Sequence, residues 1–140
     1  MNPETIFSIV NTTALLGWIT LAVAPGWIWT RRIVWTAIPM LLSAAYLILV
    51  VSFFGQAEGG FGSLADVMQL FTNKNAALAG WIHYLAFDLF VGSWEVKDAQ
   101  ERGVSHWFVV PCLFLTFLLG PIGFLAYNVV RLIAARGETK

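Results

Sequence analysis

Four stretches of this chain stay apolar for about twenty residues each, and that constrains the fold more than any motif. A helix rises ~1.5 Å per residue, so about 20 residues cross the ~30 Å hydrocarbon core of a bilayer. No water satisfies backbone N–H and C=O groups there, which leaves helices or closed barrels as the only spanning structures. The runs read as spans from about Thr5 to Trp27, Ile33 to Phe54, Ala76 to Glu95 and Trp107 to Ile133. Composition agrees, with 59% hydrophobic and only 11% charged residues, where soluble domains carry about a quarter charged. Mean hydropathy is +0.75. The expected architecture is therefore all-α: an integral membrane four-helix bundle, forming a single transmembrane domain over residues 1–140. A net charge of zero offers no basic face for nucleic acid. Cys112, the one cysteine, lies in an apolar run and reads as a small buried hydrophobe. The N-terminus enters its span without a basic leader, so no signal or transit peptide is expected, and a bacterial inner (plasma) membrane is the expected location.

The connections add detail. Pro25 to Arg32 is short and makes spans one and two antiparallel neighbours, with Trp27, Trp29, Arg31 and Arg32 as interfacial anchors. In span one, Asn11 carries a primary amide that needs a partner and is a candidate to line a site. Pro39 removes a backbone hydrogen bond from span two and is expected to kink it, with Ser43 and Tyr46 following on the same side. Between spans two and three, Ser63 and Asp66 resemble a capping box, and Leu64, Val67, Met68 and Phe71 recur at i, i+3, i+4, i+7. A short amphipathic helix is expected there, lying on the membrane or gating a cavity. Asn75 is the expected N-cap of span three, which should continue to Arg102 and stop at Gly103, its charges Lys97, Asp98, Glu101 and Arg102 forming a solvated face. Ser105 should cap span four, with His106 a partly wet interfacial anchor. With four spans, Lys74, Arg131, Arg136 and Lys140 share one side against Arg31, Arg32, Lys97 and Arg102 on the other, a tie on the positive-inside count.

Span three is the anomaly. Gly80 to Glu95 is as apolar as its neighbours yet holds His83, Asp88 and Glu95. Ionisable groups at that depth cost roughly 2.5–3.5 kcal/mol on insertion scales, so they face a protein interior or a wet cavity. Five residues of helix put His83 and Asp88 about 7.5 Å apart along the axis and about 140° apart around it, so they cannot touch. Asp88 shares a stripe with Tyr84 and with Glu95, which reads as interfacial. His83 shares one with Gly80, Phe87 and Trp94. Two polar edges suit a central place in the bundle. The small residues Gly17, Gly80, Gly92, Gly120 and Gly123 permit close approach of helices or of a ligand beside Pro121.

Several catalytic signatures are absent, among them HExxH, CxxC, GxGxxG and a P-loop. Two histidines, His83 and His106, are too few for a membrane di-iron centre, though a single-histidine haem ligand stays open. A mid-span acid, a mid-span imidazole and an aromatic-rich interior suit acid/base work on an apolar molecule. The runs Gly80-Trp-Ile-His-Tyr-Leu-Ala-Phe-Asp-Leu-Phe-Val-Gly92, Asp98-Ala-Gln-Glu-Arg-Gly103 and Val110-Pro-Cys-Leu-Phe-Leu-Thr-Phe-Leu-Leu-Gly-Pro-Ile-Gly123 resemble the plant abscisic-acid-deficient / neoxanthin-synthase family and its bacterial homologues. The resemblance implies a membrane protein that isomerises a carotenoid or related polyene, by acid/base epoxide opening or double-bond rearrangement, with no redox cofactor. A lipophilic polyene and the bilayer would then be its partners.

Burial disfavours charge, so Asp88 as a neutral acid and His83 as a neutral base are the expected catalytic pair. Trp81, Tyr84, Phe87, Asn11, Tyr46, Glu95, Pro121 and Gly123 are the expected substrate contacts. The alternatives are a non-catalytic carotenoid or isoprenoid binding or assembly protein, with His83 and Asp88 as interhelical hydrogen-bonding groups, and a small haem or metal membrane protein.

Overall fold

The computed structural model describes residues 2–53 and 55–137, and all regular structure among them is helical. Helix α1 spans Pro3–Val23; Asn2 caps it by accepting from the Glu4 N–H, and Pro3 sits in the first turn, where its missing N–H costs nothing. A π-helical segment, Thr30–Ala37, runs directly into α2, Ile38–Phe53. Phe54, the expected end of this run, lies outside the described residues. Helices α3 (Leu64–Leu70), α4 (Lys74–Glu101), α5 (His106–Leu119) and α6 (Pro121–Gly137) follow. Among the described residues, three helices are long and apolar enough to cross a membrane: Pro3–Val23, Thr30–Phe53 and Lys74–Glu101. Polar side chains within α1 are satisfied locally, Ser8, Asn11, Thr13 and Thr20 each donating to the carbonyl four residues back.

Helix α4 is central and packs against α1, the π-helical segment, α2, α5 and α6. Glycines bring α1 and α4 together side by side. A β-carbon on Gly92 would fall 2.6 Å from the Trp18 ring, and one on Gly17 would fall 3.0 Å from Leu89. Local signals fared unevenly in the caps, and Ser105 stands at the start of α5 without a side-chain capping bond. Ser63 accepts from the Asp66 N–H at 3.1 Å, as its spacing predicts. Gly103 follows the end of α4 with φ +67°. The N-cap of α4 is Asn73 rather than Asn75: its Oδ1 accepts from the N–H groups of Asn75 and Ala76, which places Asn75 inside the first turn. The Pro39 perturbation takes the form of π winding just before it, with the Ile38 N–H reaching back five residues to Ile33 O.

The expected fourth span, about Trp107 to Ile133, is two helices rather than one. Helix α5 ends at Leu119, Gly120 turns with φ +46°, and α6 starts at Pro121. Proline disfavours helical geometry in the residue before it, and glycine adopts the left-handed region without penalty. The contacts give the direction of α6. At the turn, Tyr84 reaches Phe117 O and Gly120 lies against the Asp88 carboxylate. Further along, Phe124 and Tyr127 pack on Trp94, and Arg131 reaches Asp98. So α6 folds back along α4 toward the end where α5 began. The pair closes tightly because Gly123 has no side chain; a β-carbon there would collide with the backbone of Thr116. With 14 residues, α5 is only ~21 Å long, too short to cross a bilayer core alone.

Candidate functional site

Along the seam between α2 and α4 lie two apolar hollows. The one nearer α3 has a volume of about 640 Å³ and is lined by Tyr46, Leu49 and Phe53 with Ala79, Gly80 and His83. The other, about 520 Å³, is lined by Trp35, Pro39 and Ser43 with Ala86, Phe87 and Phe90. On α4 these residues step by three or four, so a single helical stripe faces both hollows. They meet at His83 and Phe87, whose rings stack with centroids 4.7 Å apart, one facing each hollow. The Tyr46 ring sits 5.6 Å from His83. Helix α3 covers the first hollow and docks through Phe71, whose ring occupies the space a Gly80 side chain would need: a β-carbon there would lie 2.5 Å from Phe71 Cε1. The π winding places Trp35 beside the second hollow.

The other polar edge of α4 faces α1 and the turn between α5 and α6. Asp88 lies at that turn, its carboxylate 3.0 Å from where a Gly120 β-carbon would be. Tyr84 donates to Phe117 O at 3.0 Å and stacks with Trp81 at 5.2 Å. Trp81 in turn donates to Asn11 Oδ1 at 3.1 Å, while the Asn11 amide donates to Phe7 O at 2.7 Å, so the partner this amide needs is supplied within the protein.

The structure thus divides the residues expected to form one site. His83, Phe87 and Tyr46 line the seam. Asp88, Tyr84, Trp81 and Asn11 lie on the other side, with Pro121 at the hairpin turn. His83 and Asp88 therefore do not converge on one bond. Glu95 is not interfacial: it is 0% exposed, because its side chain is enclosed by the hairpin, where its Oε1 accepts from the Thr116 hydroxyl at 2.9 Å. Gly123 offers no space to a ligand, since α5 fills it.

Nor is Asp98 part of a solvated face. It is buried, contacted by Arg102 at 2.9 Å and Arg131 at 3.3 Å, and accepts from the Tyr127 hydroxyl at 2.7 Å. His106 Nε2 lies 2.9 Å from Ala22 O and anchors the start of α5 to the end of α1, away from His83. Among the described residues, no three His, Cys, Asp or Glu side chains group as a metal-ligand set. Sequence reasoning missed Trp35, Ala86 and Phe90 as seam residues. Their signal was available in the three-and-four spacing around His83 and Pro39.

Among the described residues, these features define an all-helical fold with three helices long and apolar enough to cross a membrane and a helical hairpin folded against the central one. The chain belongs to the ABA DEFICIENT 4-like family, whose model matches residues 5–127. That range runs from α1 to Tyr127 in α6 and includes both edges of α4. Membership and the apolar helices together fit a carotenoid-related role in a membrane. No curated protein and no solved structure matches the chain.

Proposed function

We propose that the protein is an isomerase of a carotenoid or related polyene, embedded as one transmembrane domain in a bacterial inner membrane, and that the polyene lies in the α2–α4 seam. The supporting observation is the seam itself, in which two apolar hollows meet at the His83–Phe87 stack. From Trp35 to Phe53 it follows roughly 25 Å of helix, which suits a stiff apolar rod. Aromatic rings along it suit the π faces of a conjugated chain.

Within the seam, the side chains able to move a proton are His83 and Tyr46, so Tyr46 takes the acid role in place of Asp88. His83 accepts a carbon-bound proton beside the epoxide. The electron pair released forms the new double bond as the C–O bond breaks, and the oxygen takes the Tyr46 phenolic proton. Transfer from imidazolium to phenolate then restores both groups, whose rings are neighbours. No hydride or electron leaves the substrate. A non-catalytic carotenoid or isoprenoid carrier is the second reading, favoured by the flat packing of His83 on Phe87, 23° between planes.

The test is turnover of an epoxy-carotenoid supplied in proteoliposomes. His83→Gln and Tyr46→Phe should each bind pigment and lose about 10²–10⁴-fold in rate, the usual worth of one acid or base group. Asp88→Asn should keep its activity, and loss of turnover in that variant alone would move the chemistry out of the seam. Pigment binding without turnover by wild-type protein would leave the carrier, and a Soret band on purification would overturn both.

A further inference from the structure

On the side of α4 turned away from the seam stand three carboxylates, Asp88, Glu95 and Asp98, and only one is matched by cations. Asp98 has Arg102, Arg131 and the Tyr127 hydroxyl. Glu95 is wholly enclosed, accepts one hydrogen bond from Thr116 at Oε1, and has no partner at Oε2. Asp88 has a buried Oδ2, also without a partner, beside the Gly120 turn. Neither forms an ion pair among the described residues. The other titratable groups facing the pair are Tyr84 beside Asp88 and Cys112 beside Glu95, and Asp98 follows Glu95 by three residues on α4. Tyr127 and Arg131 on α6 are engaged by Asp98, and α1 packs Trp18 against Gly92 between the two.

An enclosed carboxylate without a cation is costly, and it neutralises by binding whatever cation fits. Both unpartnered oxygens are closed to anything the size of water, which shuts out an ammonium group, and among the described residues no three His, Cys, Asp or Glu side chains gather to hold a metal ion. A proton needs no room. We propose that Asp88 and Glu95 form a proton-binding pair enclosed by the α5–α6 hairpin, each carrying a proton taken from water. Asp88, the partly exposed member, exchanges that proton with the space outside the turn, while Glu95 holds its own behind it. The site lies on the opposite side of α4 from His83 and Tyr46 and stands whether or not the seam binds a polyene.

Infrared absorption of the full chain in dodecyl maltoside, a detergent without carbonyl groups, tests this at neutral pH. Wild-type protein should show the C=O stretch of protonated carboxyls. Asp88→Asn and Glu95→Gln should each remove part of it, the double variant all of it, and His83→Gln none. In D2O the component lost in Asp88→Asn should shift earlier than the component lost in Glu95→Gln. Absence of the band from wild-type protein overturns the proposal, and that measurement holds even if a variant fails to fold. An undiminished band in the folded double variant overturns it equally.

Discussion

Gly123 closes α6 on α5 and Tyr127 holds the hairpin to α4, both through contacts that tolerate little change. A side chain at 123 must displace the α5 backbone at Thr116, and overpacking of this kind costs typically about 1–3 kcal/mol. Gly123→Val should therefore lower the thermal midpoint in detergent, while Ala44→Val, at an exposed position on α2, should leave it nearly unchanged. Tyr127 is 0% exposed and donates to Asp98 at 2.7 Å. Hydrogen bonds to charged groups contribute about 1.5–3 kcal/mol, and Asp98 retains two arginines when the hydroxyl is removed. Tyr127→Phe should accordingly destabilise the protein by about 1.5 kcal/mol, the low end of that range, and an unchanged thermal midpoint in this variant would contradict that role. At this scale the sequence was legible where neighbours on one helix decide the outcome. Tyr84, Asp88 and Glu95 share a side because 3.6-residue winding puts them there. The inward turn of Asp98 was not legible, because Tyr127 and Arg131, 29 and 33 positions further on, cause it.

Among the elements, α3 is lightly anchored. Its seven residues are too few to be stable as an isolated helix, and it has no buried residue of its own. Ser63 caps it, and Phe71 docks it into the notch at Gly80. Phe71→Ala and Gly80→Leu remove the same contact from opposite sides. Each should raise amide hydrogen exchange across residues 64–70 while leaving exchange in the middle of α4 at its wild-type rate. Unchanged protection of α3 in both variants would show that it is held by something other than this notch. The capping pattern and apolar stripe of α3 are local, which is why they could be read in advance. The identity of the α4 cap could not, because Asn73 and Asn75 offer the same side chain two residues apart. Gly120-Pro121 posed a harder choice, since a bend and a reversal begin with the same two residues. What selects reversal is the closeness allowed at Gly123 and the anchorage of Tyr127 and Arg131 on Asp98, none of which is local to the turn.

For the whole molecule, reversal at Gly120 changes which side of a membrane each end reaches. With three crossings and a hairpin that returns, α6 ends on the side of Arg102 rather than that of the N-terminus. Arg131, bound to Asp98, then joins Arg31, Arg32, Lys97 and Arg102, and Lys74 alone remains opposite. Of the other charges in the count, Lys140 and the Arg136 side chain lie outside the described residues. The tie expected for four spans becomes a clear bias, and positive charge favours the cytoplasmic side. The N-terminus and residues 55–73 should therefore face outward, and the start of α5 and the end of α6 inward. In intact cells, a membrane-impermeant thiol reagent should label Ser63→Cys, and it should label Ser105→Cys only after lysis. A reporter protein fused after Lys140 that is active only in the cytoplasm should be active. Labelling of both positions from outside would contradict the number of crossings. An inactive reporter together with outside labelling of position 63 would put both ends on one face and return residues 107–133 to a single span.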